Sequence, residues 1–132
     1  MCTIGDIILV ESYKHKGVFL SRHSFVVLSN NSGTIEGLAY DFVCNVLSSF
    51  KDDQQRAKKL NYPGNFEVTN ADRSVVKGNT KDGFVKAEQL YYFNNQKIEY
   101  SVIGKLHADV FNQLIEFIEN LEIPLEHISD NL

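Results

Sequence analysis

The period of the apolar residues changes once along the chain, and that change limits what the chain can fold into. From Leu106 onward apolar residues recur at positions 106, 110, 111, 114, 117, 118 and 121, the stripe of a helix with one buried face. Asp109 falls in its first turn, where the helix dipole favours an anion, and Pro124 follows its end. Ahead of Leu106 the apolar residues come instead in short runs: Ile7 to Val10, Phe25 to Leu28, and the partly alternating stretch Tyr40 to Ser48. These runs are rich in β-branched and aromatic residues and too short for helices, so they read as strands. Several short strands followed by one amphipathic helix predict a mostly β (β+α) fold, a small, strongly bent antiparallel barrel with the C-terminal helix capping one end.

Between those runs the sequence supplies the connections. Glu11 to His23 is polar and reads as a long hairpin loop; Ser29 to Gly33 is a cluster of turn formers. Lys51 to Leu60 is charged and free of Gly and Pro, which suits a short exposed helix or a connector. Asn65 to Thr69 and Gly83 to Lys86 read as short strands around a polar loop, and Leu90 to Phe93 with Tyr100 to Ile103 as a hairpin joined by Asn94 to Lys97. Tyr40 to Ser48 reads as a central strand with one polar side near the surface. Residues 1–123 form a single domain on this reading, and 124–132 a short, acidic, loosely held tail. With 132 residues, 43% of them apolar, the chain can bury a core without staples.

Thirteen basic against seventeen acidic residues give a formal charge of −4, which argues against coating nucleic acid through bulk charge while leaving room for a local basic groove. Cys2 and Cys44 supply neither a disulfide framework nor a four-ligand zinc site, and no His/Cys/Asp cluster has metal-ligand spacing. With no apolar signal core and no run near the roughly 18 residues of a membrane span, the expectation is a reduced, cytoplasmic protein that needs no metal or cofactor.

Three blocks carry a family resemblance. Gly5-Asp6-Ile7-Ile8-Leu9-Val10, followed by a polar loop ending in a basic residue and then Phe25-Val26-Val27-Leu28-Ser29, resembles the start of the PemK/MazF family of toxin endoribonucleases. Val85-Lys86-Ala87-Glu88-Gln89-Leu90 is similar to that family's strand carrying Asp-Gln or Glu-Gln. Val102-Ile103-Gly104-Lys105-Leu106 is similar to the segment that leads into its helix. The resemblance implies an SH3-like barrel, a homodimer, a cognate antitoxin protein as partner, and metal-independent, sequence-selective cleavage of single-stranded RNA. In that reaction the ribose 2′-OH attacks the adjacent phosphorus and the 5′-oxygen leaves, giving 2′,3′-cyclic phosphate and 5′-OH ends. It needs a base for the 2′-OH proton, an acid for the leaving oxygen and a cation for the phosphoryl oxygens.

The candidate residues follow from that requirement. A gapless alignment puts His23 where the family carries an Arg and Ser24 where it carries a Pro, with Arg22 one residue earlier. Either a titratable His23 has replaced a permanent cation, or the loop slips by one residue and Arg22 supplies the guanidinium. In an extended segment only one of the two faces the groove. Ser48 falls where the family has a phosphate-binding hydroxyl, and Ser49 replaces it if the strand end is shifted. Lys86 and Glu88, two apart on the predicted strand, form a cation–carboxylate pair on one face, with a solvated surface pair as the plainer reading. Lys14, His15 and Lys16 lie on the loop that the resemblance places over the RNA, as phosphate contacts. Gln89 reads as a structural hydrogen-bonding residue, and Tyr91 to Phe93 as core or dimer packing. Two rival readings are a toxin resembling CcdB, which acts by binding alone, and a degenerate family member that binds antitoxin or RNA without cleaving it.

Overall fold

In the computed structural model, which describes residues 2–78 and 81–132, strands dominate. β1 (Asp6–His15), β2 (Val18–Ser29), β3 (Gly33–Ile35), β4 (Leu38–Tyr40) and β5 (Phe42–Ser49) come first, then α1 (Asp53–Leu60). β6 (Asn65–Val68), β7 (Arg73–Val75), β8 (Gly83–Lys86), β9 (Gln89–Phe93) and β10 (Tyr100–Leu106) lead into α2 (Ala108–Glu119) and a last strand, β11 (Glu126–Ile128). The expected mostly β chain with a C-terminal helix is what is found. One sheet runs in the order β11-β9-β5-β2-β1-β10-β7, with β8 also on β5 and β6 on β8; β3 and β4 pair separately. The path ends at β11 and β7, so among the described residues no closed barrel forms.

The first two strands correct the expectation of a long loop at Glu11 to His23. They form one continuous hairpin, paired from Ile7↔Val26 to His15↔Val18 around the two-residue turn Lys16-Gly17. Both turn residues have positive φ, 53° and 76°, the geometry whose twist matches that of the flanking strands. Gly17 adopts it without a steric penalty. Lys14, His15 and Lys16 therefore sit at the end of a paired hairpin rather than within a long loop.

Apolar runs at the start of the hairpin are continuous because both faces are covered. Ile8, Val10, Phe25, Val27, Cys44, Val46, Tyr91 and Phe93 pack in one cluster, and Ile7, Val26, Leu47, Val85, Leu106, Val110 and Leu114 in the other. Successive residues of β1 and β2 thus feed opposite clusters, as strand alternation requires. α2 covers the second cluster with Val110 and Leu114. Further along the strands, Leu9 and Glu11 follow Ile7, while Ser24 and Arg22 precede Val26, and these four residues line a cavity.

Three other expectations change. The strands at Leu90–Phe93 and Tyr100–Ile103 exist but do not pair with each other: β9 lies on β5, and β10 on β1. Asp41 diverts the chain, its N–H donating to the Phe93 carbonyl at 2.8 Å and its side chain accepting from Asn95 N–H at 2.7 Å. In the middle of β5, expected to turn a polar side toward the surface, Asn45 is instead fully buried. The segment after Pro124 is docked, not loosely held. β11 pairs parallel to β9, Ile128 is buried, and Asp130 and Asn131 accept from the backbone N–H groups of Gly17 and Lys14 at 2.9 and 2.6 Å.

Two short elements behave as their composition suggests. β6 and β8 pair antiparallel from Asn65↔Lys86 to Val68↔Gly83. α1 buries no residue; the Asp52 side chain caps it by accepting from Gln55 N–H at 2.7 Å, and Arg56 ties it to Glu67 of β6. No helix among the described residues is long and apolar enough to cross a membrane.

Candidate functional site

The uncovered end of the α2-side face forms a cavity of about 410 Å³, within the range of small-ligand sites. The hairpin register makes it. Because Val10 pairs with His23 and Ser12 with Ser21, Glu11 stands opposite Arg22, and the Arg22 Nε donates to Glu11 Oε2 at 2.8 Å. Both side chains remain well exposed, at 65% and 43%, so the pair adds at most about 1 kcal/mol to stability and both groups are open to a ligand. Ser24, Ser49 and Ser101 bring three hydroxyls to the same walls, over a floor of Leu9, Leu47 and Ile103.

The opposite wall comes from β7 and the residues that follow it, Arg73, Lys77 and Gly78. Arg73 donates from Nη2 to the Lys81 carbonyl, while its Nε is buried with no partner among the described residues. Burial lowers the pKa of this guanidinium from its usual value, and the nearby Asp82 and Asp72 oppose the fall; an arginine so placed remains a cation. Three cations and one carboxylate thus line a concavity in a chain whose formal charge is −4.

The structure separates the residues singled out from the sequence. Arg22 lines this cavity. His23 packs edge-on against Tyr13 at 5.5 Å between ring centroids, with Nδ1–H donating to the Ser21 carbonyl at 2.9 Å. Ser49 is in the cavity wall and Ser48 is not, because the two alternate at the end of β5. Lys86 and Glu88 do share a hollow, of about 320 Å³, together with Lys58, Lys59 and Tyr62. They do not share a strand. β8 ends at Lys86, and Ala87 and Glu88 form a break before β9.

That break is held from three sides. Asn45 donates from Nδ2 to the Gln89 carbonyl at 2.7 Å, Ala87 N–H donates to the Gly64 carbonyl, and the Glu88 carbonyl accepts from Glu126 N–H, so the backbone groups that leave the ladder are satisfied. Gln89 takes part through its backbone and as a weak acceptor for the Tyr91 hydroxyl. The Glu88 carboxyl is pushed above the usual carboxylate range by burial, with its own backbone N–H and Lys86 pulling it down and Glu126 adding to the rise. Its Oε2 is buried without a partner among the described residues.

The three hairpin-end residues do not line the cavity, and two of them make contacts within the fold. His15 Nε2 lies 2.9 Å from Glu126 Oε1 and its Nδ1 3.3 Å from the Tyr91 hydroxyl. The Lys14 ammonium sits 4.7 Å over the Phe19 ring, and Lys16 is exposed in the turn. Tyr91, Tyr92 and Phe93 are all buried. Among the described residues, no three His, Cys, Asp or Glu side chains are grouped to hold a metal ion. Glu11, Arg73 and Lys77 were not evident as site residues from their sequence neighbours. The signal for Glu11 was Lys16-Gly17, since a two-residue turn there fixes its register opposite Arg22. No protein-family model and no curated protein matches this chain.

Proposed function

We propose that the protein is a PemK/MazF-like endoribonuclease, the toxin of a toxin–antitoxin pair, and that it cleaves single-stranded RNA without a metal in the Arg22–Glu11 cavity. The observation that carries this reading is the Arg22–Glu11 pair: an accessible carboxylate held at 2.8 Å from a guanidinium, in a cation-lined concavity that already meets two of the reaction's needs. Glu11 takes the 2′-OH proton as the oxygen attacks phosphorus. Arg22, a permanent cation with a planar fork of donors, stabilises the charge on the phosphoryl oxygens. The P–O5′ bond breaks, and the departing oxygen takes its proton from water, which reaches both exposed side chains. The Ser49 hydroxyl stands in for the family's phosphate-binding hydroxyl.

The remaining parts of the reading belong to the same proposal. The antiparallel run of β1, β2 and β5 with a helix after the last long strand supports an SH3-like barrel opened along one seam. A homodimer, a cognate antitoxin and a cytoplasmic location follow from the resemblance. Incubating the purified protein with a long single-stranded RNA in EDTA tests the reading, with the product ends identified. Fragments bearing 2′,3′-cyclic phosphate and 5′-OH are expected. Intact RNA, or an absolute need for a divalent cation, refutes it, and intact RNA with retained binding points to the non-cleaving rivals.

A further inference from the structure

The two walls of the cavity differ in kind, and the difference extends the proposed function, on which this inference rests. The hairpin wall pairs a cation with a carboxylate. The β7 wall brings Arg73 and Lys77 to the same space; Asp72 and Asp82 bear on Arg73 but do not line the cavity. The hairpin wall thus presents a base with its cation, and the β7 wall presents cations that can hold a phosphate. Arg73 also carries unused donor capacity. Its Nε is enclosed by protein, so a phosphate oxygen in the cavity meets the terminal Nη groups, of which Nη2 also donates to the Lys81 carbonyl.

We propose that Arg73 and Lys77 form a second phosphate subsite, which holds the phosphodiester next to the one cleaved at Arg22 and so makes a strand of at least two phosphates the preferred ligand. Both residues approach from a different part of the chain than the hairpin, β7 and the segment directly after it. They can therefore engage a neighbouring phosphate without displacing the Arg22–Glu11 pair. Arg73 supplies a planar fork and Lys77 a point charge, the two usual ways of meeting a phosphate. The subsite reads backbone, not bases, so it positions the strand and carries no sequence preference.

The test measures binding apart from cleavage, using a mixed-sequence single-stranded oligonucleotide in which each 2′-OH is replaced by hydrogen. Affinity is followed by fluorescence anisotropy as a function of salt for the unaltered protein, Arg73→Gln, Arg73→Lys and Lys77→Gln. Each lost phosphate contact lowers the slope of log affinity against log salt by about 0.7 for a single strand. Because both cations meet the same phosphate, Arg73→Gln and Lys77→Gln are each expected to lose part of that slope and to bind several-fold more weakly. Arg73→Lys is expected to recover the slope, and the single-turnover rate at saturating RNA should change little in any of them. Lys77 is exposed, so its substitution leaves folding intact. An unchanged slope and affinity in Lys77→Gln and Arg73→Gln overturns the subsite while leaving the cleavage proposal standing. A loss of rate at saturation, with affinity kept, overturns it in favour of a catalytic role for this wall. Failure of the unaltered protein to bind the oligonucleotide overturns both proposals.

Discussion

Two hollows in this molecule each combine lysine or arginine with a glutamate, and they differ in how the pair is assembled. Arg22 and Glu11 meet across a hairpin, 2.8 Å apart and open to water. Lys86 and Glu88 are near neighbours in sequence, yet a break in the strand separates them, and Glu88 keeps one oxygen buried without a partner among the described residues. The first arrangement leaves both charges available to a ligand. In the second, burial favours the uncharged carboxyl. Proximity in sequence was the poorer guide to a contacting pair, and register across strands the better one.

The largest expected effect breaks the comparison outright. Arg22→Ala should lose on the order of a hundredfold or more in single-turnover rate, the usual scale for removing a stabilising cation or donor, while Lys86→Ala should stay within a few-fold. Similar losses in both would erase the distinction between the hollows. Next in size is Gly17→Ala, which forces a side chain into a backbone with φ of 76° and should cost about 1 kcal/mol in thermal or denaturant unfolding. Because this turn sets Glu11 against Arg22, cleavage should weaken with it while the Lys86–Glu88 hollow is untouched.

A smaller effect concerns pH and stability. Burial raises the Glu88 pKa in the folded protein, so the folded state holds a proton that the unfolded chain has released. The stability linked to that proton is present below the ordinary glutamate value and lost as pH rises through the raised one. Glu88→Gln should flatten this part of the stability profile, as followed by denaturant unfolding between acid and neutral pH. A profile unchanged by the substitution would mean that the carboxyl is solvated after all. Smallest is His23→Ala. Loss of the edge-on contact with Tyr13 should cost about 1 kcal/mol of stability, and the cleavage rate between about pH 5 and 8 should show no step that the substitution removes.

What the sequence made legible was what local patterning controls. The apolar stripe from Leu106 gives α2, the runs at Ile7 and Phe25 give β1 and β2, and charge without Gly or Pro gives α1. Pairing was less legible, because it depends on which distant strand covers which face. Leu90 to Phe93 look like half of a hairpin, yet Tyr91 and Phe93 join the aromatic cluster around Phe25, and that burial outweighs a local turn. Glu126 to Ile128 look like a tail because three residues carry too little pattern to announce a strand, and only the edge of β9 gives them a partner.

The site was legible in part for the same reason. Arg22 and Ser49 were in view as alternatives to His23 and Ser48, and alternation decides which of each pair lines the cavity once the strands are placed. Glu11 was hidden inside a segment read as loop. Arg73 reaches the cavity from a three-residue edge strand with no motif around it.

The most direct test of the central claim, that Arg22 and Glu11 act together on RNA, is a double-mutant cycle in single-turnover cleavage with Glu11→Gln, Arg22→Met and the pair combined. Residues that serve one chemical step are strongly non-additive. The account predicts that each single change costs on the order of a hundredfold and that the double change costs little more than the worse of the two. Single variants that cleave within a few-fold of the unaltered protein, or losses that simply multiply in the double variant, would contradict it.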